Sequence, residues 1–138
     1  MNITEPMFLA LTALVDEPRH GYGIVQEVDR LSGGRVQLKI GSLYGVLDRL
    51  AGEGLVAIDR EEVAQGRLRR YYRLTDSGAG ALEEEAARLA ANARAATARL
   101  RERTVRLHPG TATATTFARI AAGMFNHGGA VAEAGGAG

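Results

Sequence analysis

The chain has 138 residues, enough for one domain with a real core, and 17 Lys+Arg against 16 Asp+Glu leave a net charge of +1. The absence of Cys excludes disulfides, thiolate catalysis and thiolate zinc sites. No apolar run approaches the ~20 residues needed to cross a bilayer, and Met1-Asn2-Ile3-Thr4-Glu5 lacks the basic region of a signal peptide, so a soluble, cytoplasmic protein is expected.

The charge distribution says more than its sum. Gln65 to Arg73 holds Arg67, Arg69, Arg70 and Arg73 and no acid, whereas Asp76 to Glu85 holds acids and no base. Such segregation concentrates positive potential locally, as a phosphate-facing surface requires. A solvated charged face is the plainer explanation, and it weighs more heavily for the later run from Arg88 to Arg106 than for Gln65–Arg73. All but Lys39 of the 17 bases are Arg, amid much Ala and Gly, which reads as a compositional bias.

The first helix is expected from about Thr4 to Val15, capped by Thr4, with Pro6 tolerated in its first turn. Ile3, Met7, Ala10, Leu11 and Leu14 share one face. His20-Gly21-Tyr22-Gly23 opens a second helix with Ile24, Val25, Val28 and Leu31 as its apolar face, and Ser32-Gly33-Gly34 ends it. Val36-Gln37-Leu38 alternates and predicts a very short strand.

A third helix is expected from about Gly41 to Glu53. Leu43, Val46, Leu47 and Leu50 face the core at helical spacing, leaving Ser42, Tyr44, Gly45, Asp48 and Arg49 outside. Strands follow at about Leu55–Glu62 and Arg67–Leu74, turning near Gln65-Gly66. Alternation puts Leu68, Arg70, Tyr72 and Leu74 on one face of the second strand, with Arg69, Tyr71 and Arg73 on the other. Thr75 and Asp76 start a long fourth helix. Its positions Leu82, Ala86, Leu89, Ala93, Ala96 and Leu100 repeat close to every ~3.5 residues, the period of a helix–helix seam. Such a seam packs either on its own domain or on a second copy. Pro109-Gly110 ends the helix. Phe117, Ile120, Ala121, Met124 and Phe125 suggest a short helix at 115–126, and the Gly/Ala segment beyond His127 is expected to be disordered.

The fold class expected is α+β, mostly helical: a winged helix-turn-helix with a long C-terminal dimerisation helix. Residues 1–75 form the winged helix, 76–108 the dimerisation helix and 109–138 a Thr/Ala/Gly-rich tail. In that fold the third helix enters a DNA groove and the hairpin flanks it. Lys39, Ser42, Tyr44 and Arg49 are its candidate DNA contacts, together with Gln65, Arg67, Arg69, Arg70 and Tyr71 of the wing. The plainer alternatives are that Ser42 only caps the helix, that Tyr44 only covers core, and that the wing is merely solvated. His20, His108 and His127 are scattered without neighbouring ligands, so no metal site is expected and His20 reads as a capping or loop residue. No catalytic constellation, phosphate loop or dinucleotide fingerprint stands out, so neither an enzyme nor a cofactor is expected.

The chain resembles the PadR family of bacterial transcriptional regulators. The resemblance rests on His20-Gly21-Tyr22-Gly23-Ile24, Gly41-Ser42-Leu43-Tyr44, Leu47-Asp48-Arg49-Leu50, Gly54-Leu55-Val56 and Arg70-Tyr71-Tyr72-Arg73-Leu74-Thr75 with Gly78. Each motif is weak alone; their order over residues 5–80 is specific. The likeness implies a homodimer that binds double-stranded operator DNA, usually as a repressor, often released by a small-molecule effector. It implies that Ser42 and Tyr44 contact DNA and that Tyr72 belongs to the wing's structural base. It further implies that the C-terminal helix dimerises and packs on the partner's first helix, which adds Met7 and Leu11 to Leu82, Leu89, Ala93, Ala96 and Leu100 as dimer residues. The lack of Trp and the 5% aromatic content work against a stacking pocket for flat drugs, and the tail departs from the family's pattern. A winged-helix protein-interaction module, a transcriptional activator and a MarR-like winged helix are the alternatives.

Overall fold

A computed structural model describes residues 1–108. The expectations for a helix at 115–126 and for a disordered tail lie outside these residues. The order is α1 (Glu5–Ala13), β1 (Arg19–His20), α2 (Gly21–Leu31), α3 (Ile40–Gly52), β2 (Val56–Ala64), β3 (Arg67–Leu74) and α4 (Asp76–Leu107). The chain divides into two compact units after Asn92.

In the first unit, three helices pack beside a small antiparallel sheet of order β1-β3-β2. Thr4 caps α1, its Oγ1 accepting from the Met7 amide at 3.4 Å. At the other end of α1, the Arg19 side chain donates to the Ala13 carbonyl at 2.8 Å, satisfying an acceptor the helix leaves over. The core joins Met7, Ala10, Leu11 and Leu14 of the first segment to Ile24 and Val28 of α2 and Leu43, Leu47 and Leu50 of α3. Leu55, Val56 and Tyr72 close it from the sheet side. The helical spacing read in the sequence is thus the spacing of the buried residues. Met7 and Leu11 correct one expectation, being 1% and 0% exposed. They are consumed inside the protomer and leave no surface for a partner.

The short strand is also in a different place. Residues 36–38 are irregular, and β1 lies instead at Arg19–His20. Arg19 pairs with Tyr72 and His20 with Tyr71, so β1 occupies the edge of β3. The Val36 segment is held otherwise: its amide donates to Ser32 Oγ at 2.9 Å, extending the end of α2 instead of joining a sheet.

β2 and β3 form a hairpin closed by Gln65-Gly66, with φ of 54° and 72°. Positive φ at both central residues is the two-residue turn whose twist suits a hairpin, and glycine adopts it without strain. A bulge at Asp59 shifts the register, so that Ile58 faces Tyr72 while Arg60 faces Tyr71. Thr75 then stops β3 and starts α4. Its Oγ1 accepts from the Gly78 amide at 3.0 Å and donates to the Gly54 carbonyl at 2.6 Å. A Cβ on Gly78 would lie 2.0 Å from the Leu55 carbonyl oxygen, so only glycine lets α4 begin against the start of the hairpin.

In the second unit the described residues are the last turns of α4. Leu100, Val105 and Leu107 there are 55%, 50% and 57% exposed. No helix among the described residues is long and apolar enough to cross a membrane.

Candidate nucleic-acid interface

Three elements converge on one cleft of about 690 Å³ in the first unit. His20, Gly21, Tyr22 and Val25 come from the start of α2, Leu38, Ile40 and Tyr44 from the approach to and first turns of α3, and Arg67, Leu68, Arg69, Arg70 and Tyr72 from β3. The cleft therefore lies between the third helix and the inner face of the wing.

α3 is built to leave its outer face bare. Lys39 is its N-cap and offers no side-chain hydrogen bond, and no acid sits in the first turn. The first-turn amides are thus without a side-chain acceptor, the arrangement that favours an anion. Ser42 is exposed, one turn too far in to cap the helix. Around Gly41 and Gly45 there is open space where a Cβ would sit, so backbone lies open on either side of Tyr44. Tyr44 is 47% exposed, and its hydroxyl sits over Gly21 of α2.

His20 fixes the start of α2. Its Nδ1 accepts from the Gly23 amide at 3.2 Å, so the ring caps the helix in its neutral form. Its pKa is lowered from the ordinary value, first by burial and then by the charge of Arg69. The His20 ring also meets Tyr71 edge-on, with centroids 5.4 Å apart. The guanidinium of Arg60 lies 4.0 Å from the centre of the Tyr71 ring. Tyr71 is thereby engaged in the sheet's own packing and does not line the cleft.

The arginines of the wing are not equivalent. Arg70 donates through Nε to Glu61, its cross-strand neighbour, at 3.1 Å. Arg60 is held by Asp59 at 3.0 Å and Glu62 at 2.6 Å. Among the described residues Arg67, Arg69 and Arg73 form no ion pair, and neither do Lys39 and Arg49. Arg67 and Arg69 border the cleft, whereas Lys39 and Arg49 are exposed on α3 outside it. Gln65 is exposed at the wing turn.

Of the residues expected at DNA, the structure therefore gathers Tyr44, Arg67, Arg69 and Arg70 around one cleft. Ser42 lies on the neighbouring surface of α3. The sequence reading missed Tyr22, Ile40 and Leu68, which are 61%, 44% and 63% exposed at the same cleft. His20-Gly21-Tyr22-Gly23 is expected from the sequence only to open α2; the approach of Tyr44 explains Gly21, where a Cβ would lie 3.2 Å from its hydroxyl.

Of the residues expected at a dimer seam, Leu82 is half-buried and packs on the core, and Ala93 is half-buried. Leu89 is 41% and Leu100 55% exposed, and Ala96 is exposed. Among the described residues, no group of three or more His, Cys, Asp or Glu is placed to hold a metal ion.

A three-helix unit whose third helix and β-hairpin flank one open surface is a winged helix-turn-helix. Residues 10–84 match the transcriptional regulator PadR-like family, and the chain belongs to that family. It is 41% identical over 70 residues to a transcriptional regulator of Mycobacterium tuberculosis, a stretch covering 51% of this chain and 62% of that protein. It is similar to the crystal structure of a PadR family transcriptional regulator from Eggerthella lenta, with 28% identity, a TM-score of 0.58 and coverage of 68% of this chain and 80% of that one. It shares its fold with Bacillus subtilis PadR, solved in complex with operator DNA, at 24% identity and a TM-score of 0.53, covering 60% of this chain and 47% of that one.

Proposed function

We propose that the chain is a sequence-specific DNA-binding regulator that acts as a homodimer on a pseudo-palindromic operator and represses transcription in the cytoplasm. The observation that carries this reading is the pairing of a bare α3 surface, with exposed Ser42 and Tyr44, with a wing whose Arg67 and Arg69 have no ion pair among the described residues. A helix in the major groove uses small and polar side chains near its N-terminus, and cations beside it hold phosphates. Family membership and a relative of the same fold solved with operator DNA support the reading.

In this reading α3 of each protomer enters a major groove, with half-sites about 34 Å apart along the duplex. Ser42 and Tyr44 meet base edges and backbone, with Lys39 and Arg49 beside them. Arg67, Arg69 and Gln65 hold the flanking phosphates. Arg70 braces the wing through Glu61. Leu89, Ala93, Ala96 and Leu100 of α4 form the dimer seam, with Leu82 at its inner end. Release by a small-molecule effector is carried over from the family resemblance alone.

The test is fluorescence anisotropy of the full chain with its own upstream intergenic DNA against a scrambled duplex, over a salt series. Preference for the upstream DNA that persists at physiological salt is the result expected. Equal, salt-sensitive binding to both duplexes contradicts it and favours a protein-interaction module. A reporter under the bound promoter separates repression from activation.

A further inference from the structure

The wing carries a second chemistry that its arginines do not explain. Cross-strand partners share a face of a hairpin, so the register defines a stripe along its inner side. From base to tip the pairs are Val56 with Leu74, Ile58 with Tyr72, Glu61 with Arg70, and Val63 with Leu68. At the base Val56 and Tyr72 join the core, 2% and 5% exposed, while Ile58 opposite Tyr72 is 50% exposed at the edge. The Glu61–Arg70 ion pair follows. Beyond it the tip turns apolar again, and there Val63 is 77% and Leu68 63% exposed. Two aliphatic side chains at the far end of a hairpin have no core to enter.

Their surroundings indicate the occupant. β2 is an edge strand, and an apolar edge is ordinarily shielded by charge. Asp59, Glu61 and Glu62 shield its middle, but residues 63–75 contain no acid. The tip therefore combines an exposed aliphatic pair with Arg67 and Arg69, a match for a surface that is apolar in its walls and anionic along its rims. The minor groove of DNA, walled by deoxyribose and edged by phosphate, is such a surface. Leu68 and Tyr44 also line one cleft, which puts the inner side of the wing beside the exposed surface of α3.

We propose that Leu68, backed by Val63, is an apolar wedge that enters the minor groove beside the site of α3, partly unstacks a base step and bends the duplex. The inference rests on the DNA-binding reading and assigns it a residue that reads deformability instead of hydrogen bonds. Leucine is among the side chains that open base steps in this way, and pyrimidine–purine steps yield most easily.

The test uses the full chain and its upstream intergenic DNA, end-labelled with a donor–acceptor dye pair and carrying 2-aminopurine at flanking steps. Wild type should bring the duplex ends closer and brighten 2-aminopurine at a flanking step. Leu68→Ser should bind about tenfold more weakly, as expected for losing a buried leucine contact, and should do neither. Leu68→Met should restore both signals. Unchanged bending and brightening by Leu68→Ser would overturn the wedge while specific binding of the wild type left the DNA reading intact. Failure of Leu68→Met to restore the signals would also overturn it. So would Leu68-dependent binding to phosphatidylserine vesicles, or a Leu68→Ser change in sedimentation without DNA. A wild type indifferent between upstream and scrambled duplexes would remove the DNA reading and the wedge together.

Discussion

The hydroxyl of Tyr44 lies over Gly21, so that a Cβ built on Gly21 would stand 3.2 Å from it. The start of α2 thereby sets where the Tyr44 side chain projects from α3. Gly21→Ala should push the half-exposed tyrosine aside by a few tenths of an ångström. Alanine favours a helix over glycine, so folding stability should stay within about 1 kcal/mol of wild type. Affinity for the upstream DNA should fall about tenfold, the scale of one lost contact. Denaturant unfolding and anisotropy on the same preparation check the two halves; unchanged affinity would show that Tyr44 is not placed by Gly21.

The arginines of β3 should separate by salt. Arg67→Ala and Arg69→Ala should each lower the slope of log affinity against log salt by about 1, because each would remove one of the proposed phosphate contacts. Arg70→Ala should change the slope less, since Glu61 already holds Arg70. Equal slopes for all three variants would contradict the division drawn here.

His20 makes stability depend on pH. Its folded pKa lies below the ordinary 6.5, first through burial and then through Arg69. The unfolded chain therefore takes up a proton at a higher pH than the folded chain. The stabilising contribution is full above about 6.5 and is lost as pH falls from there through the folded value. Thermal unfolding at pH 7.5 and 5.5 should show this loss in wild type. His20→Asn, which keeps a capping oxygen and cannot titrate, should lose less.

On α4, Leu89 is 41% exposed on the face read as a helix–helix seam. Leu89→Glu should convert the proposed dimer to a monomer in sedimentation, with little change in the unfolding of the first unit. A variant that stays dimeric would place the interface elsewhere.

Much of this fold was legible because it follows from local chemistry. Thr4 and Thr75 cap, Gln65-Gly66 turns, and Leu43, Leu47 and Leu50 repeat at helical spacing. What the sequence hid depends on distant partners. β1 has two residues and no pattern; it is a strand only because β3 offers Tyr71 and Tyr72 an edge. Val36–Leu38 alternates, yet it has no strand to join. Met7 and Leu11 share the apolar face of the first helix, and only the family likeness suggests a partner for them; the core encloses both. The basic run of β3 looked uniform because Glu61 reaches Arg70 only through a register that includes the bulge at Asp59. Alternation puts Leu68 on the same face as Tyr72 and Leu74, and only the length of the hairpin beyond the core leaves it exposed.

The proposed function requires α3 and the wing to act as one DNA-binding surface. The most direct measurement is the affinity of the Tyr44→Ala, Arg69→Ala double variant for the upstream duplex at physiological salt, beside a scrambled duplex. The double variant should fold and lose its preference for the upstream duplex, with affinity lowered about a hundredfold for two contacts. A folded double variant that binds the upstream duplex as wild type does would contradict the proposed function.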